Sequence, residues 1–222
     1  MTASGSHILV ATGRTPNTDG LHLDKAGVNF NEKGIEVDAR LRSSQKHIYA
    51  CGDIAGGPQF THIAGYHAGI IIKNMIFKLP AKVDYRALPW VTYTDPELAN
   101  TGMTETMARE IYGDHIKTVS WDFADNDRAV TEKDLRGRIK VITDKKGRIL
   151  GAAIAGSHAG ELIGLWSLAI SQKMKISAIA NMIAPYPTLS EVSKRAARSY
   201  YTPALFSDKT RKLVGFLKKL PW

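Results

Sequence analysis

The sequence predicts an α+β fold: an antiparallel sheet with helices packed on one face, preceded by a partial α/β segment. Three observations lead there. Apolar runs and turn signals alternate from residue 86 onward, and two such runs flank Asp144-Lys145-Lys146-Gly147 as the arms of a β-hairpin. From Ala159 the apolar residues Leu162, Ile163, Leu165, Trp166, Ala169 and Ile170 form a broad helical face. Residues 1–80, by contrast, hold a few strand-like runs and one helical stretch, too little for an independent α/β domain of ordinary size.

Taken in order, His7 to Thr12 reads as a buried strand that ends in the turn Gly13-Arg14-Thr15-Pro16-Asn17. Gly20 to Asn29 is polar and punctuated by glycine. Asn31 to Gly34 forms a turn, and Ile35 to Val37 a short strand. His47 to Ala50 is another strand. Thr61 to Phe77 reads as a helix with Thr61 as N-cap and Ile63, Tyr66, Ile70, Met75 and Phe77 apolar. Leu79-Pro80 ends it and marks a boundary.

In the second part, Arg86 to Tyr93 is a strand and Asp95-Pro96-Glu97 turns out of it. Thr104 caps a helix through Ile111. His115 to Phe123 is a strand, and Asp125 to Arg128 a polar loop. Gly137 to Thr143 and Arg148 to Ala155 are the hairpin arms. Helices are expected over Ala159 to Gln172 and Ser177 to Ile183, until Pro185 and Pro187 break the second. A last long helix begins near Thr188, where Thr188 and Glu191 have capping-box spacing.

The composition excludes several classes. No apolar run approaches the roughly 20 residues of a membrane span. Cys51 is the only cysteine, so an internal disulfide, a dithiol redox pair and a cysteine zinc cluster are all excluded, and a cytoplasmic location is the default. The net charge is +9. Lys194, Arg195, Arg198, Lys209, Arg211, Lys212, Lys218 and Lys219 supply much of it against Asp208. The tail has no nucleic-acid fold signature, so a solvated basic helix face is expected. Leu213, Phe216, Leu217 and Leu220 recur at helical spacing. That stripe is expected to pack on a domain or a subunit, with a peripheral amphipathic role left open.

Some patterns fall short of a site. His62 and His67 are five apart, not the four that puts two zinc ligands on one helix face. Gly151 to Ser157 lacks the Gly-Lys-Ser/Thr ending of a phosphate loop. Asp125, Asp127 and Glu132 lack calcium-loop spacing. Gly52-Asp53 is more specific. It follows the apolar run Ile48-Tyr49-Ala50, and an Asp behind a Gly at a strand end can accept from a ligand hydroxyl.

Four motifs occur in order: Ala11-Thr12-Gly13-Arg14-Thr15-Pro16-Asn17, Ile48-Tyr49-Ala50-Cys51-Gly52-Asp53, Tyr93-Thr94-Asp95-Pro96-Glu97 and Pro187-Thr188-Leu189-Ser190-Glu191. With them the chain resembles the C-terminal part of a class I pyridine nucleotide-disulfide oxidoreductase, the family of dihydrolipoamide dehydrogenase and mercuric reductase. The resemblance implies that residues 1–80 are the returning segment of an FAD-binding domain and residues 81–222 an interface, or dimerisation, domain. It implies a homodimer and an FAD-dependent enzyme passing electrons from NAD(P)H to a disulfide or small-molecule acceptor.

By the same resemblance, Asp53, behind Gly52, would accept hydrogen bonds from the ribityl chain. Phe60, Thr61 and His62 would bring a helix N-terminus to the pyrimidine edge of the flavin, which favours negative charge there. Tyr186 stands where the family usually has a His that pairs with the Glu, here Glu191, as acid and base at the partner's site. A tyrosine hydroxyl has a reference pKa near 10, which makes it a poor base at neutral pH. The exchange moves the likeness toward the mercuric-reductase branch, although the C-terminal cysteine pair of that branch is missing. Packing alternatives stand beside these roles: Glu191 as a capping carboxylate and Tyr186 as part of a rigid turn between prolines.

No Gly-x-Gly-x-x-Gly follows a strand in this sequence. The adenine half of FAD and the NAD(P)H site would therefore lie in a missing domain, and the chain reads as a fragment that is inactive alone. The alternative function is a non-catalytic dimerisation or interaction module with a vestigial flavin segment.

Overall fold

The computed structural model describes residues 4–220. The chain divides into two compact units, residues 1–84 and 85–222.

The first unit is built mostly from turns. Strands β1 (Phe30–Asn31) and β2 (Gly34–Ile35) form a minimal antiparallel hairpin with Phe30 opposite Ile35. Asn31 Oδ1 accepts from the Lys33 amide at 2.8 Å, the local bond that closes this Asn-initiated turn. Leu23, Val28, Ile35 and Ala50 make the small core beneath it. Helix α1 (Thr61–Met75) buries Ile63, His67 and Ile70, the i, i+4, i+7 stripe of one helix face.

Three expectations in this unit need correction. His7 to Thr12 is not a strand, and Ile8 and Leu9 are 90% and 89% exposed. A strand needs a neighbour for its backbone groups, and among the described residues none pairs with this run. His47 to Ala50 forms only an isolated bridge, Tyr49 to Arg42. Thr61 is the first helical residue rather than the cap. The N-cap is Phe60, whose side chain makes no capping bond.

The second unit is a five-stranded, wholly antiparallel sheet in the order β3–β4–β7–β6–β5. The strands are β3 (Pro89–Thr92), β4 (Glu97–Gly102), β5 (Ile116–Asp122), β6 (Gly137–Asp144) and β7 (Ile149–Gly156). Strand β4 was not anticipated, because Glu97-Leu98-Ala99-Asn100-Thr101-Gly102 has weak strand propensity. Its position decides it: β4 pairs on both edges, with β3 and with β7, and Ala99 and Thr101 are buried.

The helices are α2 (Glu105–Tyr112), α3 (Asp127–Glu132), α4 (Ala159–Ser171), α5 (Ile176–Asn181), α6 (Glu191–Ser199), α7 (Thr202–Leu205) and α8 (Asp208–Leu217). Thr104 caps α2 as expected, its side chain accepting from the Met107 amide at 3.2 Å. Helix α3 replaces part of the expected polar loop, and Asn126 is the device: its Oδ1 accepts from the Ala129 amide at 3.1 Å. Thr188 does not cap α6. Ser190 holds that position, and the Thr188 hydroxyl donates to the Pro185 carbonyl at 2.7 Å. The helix expected to run on from there is split, because Pro203 opens α7 and Ser207 caps α8.

The core lies between one sheet face and helices α4 and α6. Ile139, Val141, Ala152 and Ile154 face Ile163, Trp166, Val192 and Ala196. Trp166 Nε1–H donates to Ser193 Oγ at 3.0 Å and ties α4 to α6. Burying a large apolar side chain is worth about 1.5–3 kcal/mol, and an unpaired buried donor costs about 1–3 kcal/mol. That one hydroxyl therefore decides whether burying the indole is favourable. A smaller cluster of Ala108, Ile116, Ile142 and Leu150 gathers α2 on the other face. A bulge makes this possible. Ile142 pairs with Gly151 and Thr143 with Ile149, so Leu150 is the extra residue and turns away from the main core. Among the described residues, no helix is long and apolar enough to cross a membrane.

Candidate functional site

The first unit assembles one group of the expected site residues around the turn Gly52–Ala55. Gly52 has φ 72°, and a Cβ there would lie 3.1 Å from Ala64 Cβ, so the position favours glycine on two grounds. Its amide donates to His67 Nδ1 at 3.1 Å. That bond requires Nδ1 to be unprotonated. Burial of the imidazole agrees, because it pushes the His67 pKa below its ordinary 6.5.

Asp53 follows directly, with its carboxylate partly exposed. Arg14 Nη1 lies 3.5 Å from Asp53 Oδ2 and also donates to the Gln59 carbonyl at 2.9 Å. One guanidinium thus joins the Gly13-Arg14-Thr15-Pro16 turn, the Asp53 carboxylate and the residues that lead into α1. Thr61 and His62 are exposed in the first turn of α1, and the Phe60 and His62 rings stack at 5.1 Å with 14° between planes. The Phe60 carbonyl accepts from the Ile63 and Ala64 amides. The result is a carboxylate acceptor and a helix N-terminus without a side-chain cap, both carried by one small core.

The second unit holds Tyr186 and Glu191 together. Hydrogen bonding toward the Asp127 carboxylate and the Asp127 charge, with a further contribution from the Glu191 charge, push the Tyr186 phenol above its usual 10. Asn126, beside Asp127, donates from Nδ2 to the Thr188 carbonyl at 3.1 Å while capping α3 with its Oδ1. The Thr188 and Ser190 hydroxyls lie 2.7 Å apart in the same turn. Tyr186 therefore stands exposed on a turn fixed by hydrogen bonds, in the field of the Asp127 and Glu191 carboxylates.

Sequence inspection missed four contributors. Arg14 was read only as part of a turn motif; its signal was a lone cation in that turn, available to a carboxylate such as Asp53. His67 was weighed only as a metal ligand; its signal was its place on the buried stripe of α1. Asn126 and Asp127 were read as loop. Their signal was an Asn followed by an acidic residue, the start of a helix. Among the described residues, no group of His, Cys, Asp and Glu is placed to hold a metal ion.

The chain thus carries a Gly-Asp turn at a helix start in its first unit and an antiparallel sheet layered with helices in its second. The dimerisation domain of the pyridine nucleotide-disulphide oxidoreductases matches residues 88–197, and a second pattern of the same oxidoreductases matches residues 2–68. The chain belongs to this family. It is 39% identical over 194 residues to a dihydrolipoyl dehydrogenase of Bacillus subtilis, covering 87% of this chain and 42% of that protein. It is 36% identical over 195 residues to a mercuric reductase of Staphylococcus aureus, covering 87% of this chain and 36% of that one. A solved structure of the HOCl-induced flavoprotein disulfide reductase RclA of Escherichia coli, as its Cu(II) complex, superposes with a TM-score of 0.79 at 32% identity. It covers 85% of this chain and 43% of the other. The chain thus spans less than half the length of these relatives.

Proposed function

We propose that this chain supplies flavin contacts and the subunit interface of an FAD-dependent NAD(P)H oxidoreductase of the disulfide-reductase type. The observation that carries the reading is the Gly52–Asp53 turn, braced by His67 from below and by Arg14 from the side, next to the start of α1. The residues fit the ribityl and ring portions of FAD. Asp53 keeps an accessible carboxylate, a strong acceptor for sugar-like hydroxyls. The first turn of α1, with Phe60, Thr61 and His62, offers amide hydrogens and positive potential to an electron-rich ring edge. The cofactor supplies two-electron carriage between NAD(P)H and a disulfide or small-molecule acceptor. Residues 1–80 act as the flavin-domain segment and residues 81–222 as the dimerisation domain.

Tyr186 and Glu191 serve at the partner's flavin. Shifted upward, Tyr186 stays protonated and acts as a hydrogen-bond donor rather than as a base. Ile183, in the same turn region, is 96% exposed, an apolar side chain that a second subunit would cover. A single cysteine suits a reducing cytoplasm.

The test is a titration of isotopically labelled chain with FAD, read by amide chemical shifts. Shifts at Gly52, Asp53, Thr61 and His62 that disappear in Asp53→Ala are expected. Shifts scattered elsewhere, or unchanged in the variant, would remove the flavin reading. Sedimentation of the same sample checks the second half: a monomer at high concentration would count against the interface role.

A further inference from the structure

The tail beyond α6 is not absorbed by this function. It lies past the residues matched by the dimerisation pattern, which ends at residue 197. Helix α8 (Asp208–Leu217) is capped by Ser207 and places Leu213, Phe216, Leu217 and, just beyond it, Leu220 at i, i+3, i+4 and i+7, with Val214 beside them. These five side chains are 43–60% exposed, and Leu205 and Phe206 just before the helix are exposed too. At 3.6 residues per turn, Arg211, Lys212, Lys218 and Lys219 fall on the opposite side, while Lys209, in the first turn, falls on the apolar side between Phe216 and Leu220. From Ser207 to Leu220 there are five basic residues and one acidic residue, Asp208.

We propose that α8 is a membrane-surface anchor: it lies in the headgroup plane of an anionic bilayer, its apolar stripe in the acyl boundary and its basic side in the phosphate layer. Charge complementarity chooses this occupant. An apolar stripe beside a dense set of cations matches a surface that is apolar below and anionic above. A second copy of a chain with net charge +9 offers no such acidic field. A nucleic-acid backbone offers phosphates but nothing to cover Phe216 and its neighbours. The helix is too short to span, so it lies on the surface rather than through it.

The experiment is co-sedimentation of the full chain with vesicles of phosphatidylcholine alone and of phosphatidylcholine mixed with phosphatidylglycerol, at low and high salt. Binding to the mixed vesicles, weakened by salt and absent from phosphatidylcholine alone, is expected. Lys212→Gln, Lys218→Gln and Lys219→Gln should each lower partitioning about fivefold, the worth of one basic residue at an anionic surface. Phe216→Ser with Leu217→Ser should abolish it, with an unchanged circular dichroism spectrum to show that the fold is intact. Failure to bind the mixed vesicles at low salt would overturn the proposal. So would partitioning that the Ser variants leave unchanged, conversion of a dimer to a monomer by those variants without any vesicle binding, or a preference for duplex DNA that they retain.

Discussion

The Gly52 amide donates to the buried His67 ring at 3.1 Å, so the turn that carries Asp53 rests on a neutral imidazole from α1. His67→Phe keeps a planar aromatic ring at the site and removes the acceptor. An unsatisfied buried amide costs about 1–3 kcal/mol, and urea unfolding followed on the first unit should show a loss of that size. A variant as stable as the parent would mean that the bond contributes nothing.

The same ring makes stability depend on pH. Burial holds the folded-state pKa of His67 below the ordinary 6.5, so below that pH the unfolded chain binds the extra proton first. The contribution is fully present above about pH 6.5 and is lost as pH falls from there toward the lower folded value. Unfolding midpoints measured across this window should decline on the acid side in the parent, and less steeply in His67→Phe.

Arg14 is a surface partner, and its pair with Asp53 is worth little to the fold. Exposed ion pairs contribute about 0–1 kcal/mol. Arg14→Gln should leave the unfolding midpoint almost unchanged, yet alter the amide shifts produced by FAD at Asp53 and in the first turn of α1. A large loss of stability would show that Arg14 works as a structural clamp through the Gln59 carbonyl.

Tyr186 ionises above its usual 10 because hydrogen bonding toward Asp127 and the Asp127 charge favour the protonated phenol. Asp127→Asn should move its ionisation back toward 10, read by ultraviolet titration as the difference between the variants with Tyr186 and with Tyr186→Phe. In an intact reductase, Tyr186→Phe should lower turnover while leaving stability within about 0.5 kcal/mol, as for exposed positions in general. Unchanged turnover would return Tyr186 to the role of a turn residue.

Asn126 does two tasks with one side chain, capping α3 and holding the Thr188 carbonyl. Loss of an N-cap costs about 0.5–2 kcal/mol. Asn126→Ala should exceed that range, because it also strands the Thr188 carbonyl. Asn126→Asp should recover the cap but not the donation to Thr188, and a calorimetric comparison of the two separates the contributions.

The sequence by itself determined the α+β class, the β6–β7 hairpin, the Thr104 cap, the family and the Gly52-Asp53 motif. Each rests on local information: period-two and helical spacing, turn chemistry, or a contiguous motif. Tertiary structure decided what depends on distant neighbours. The run from His7 to Thr12 has strand composition but no partner strand among the described residues, so propensity alone does not make it a strand. Strand β4 has poor propensity and is a strand because β3 and β7 hydrogen-bond to both of its edges. The supports of the site divide in the same way. Asp53 was legible, but Arg14 lies 39 positions away and His67 14 positions away, and only folding brings a guanidinium and an imidazole against that turn. Pairing between residues far apart in sequence leaves no local periodic trace, which is why the motif was visible and its support was not.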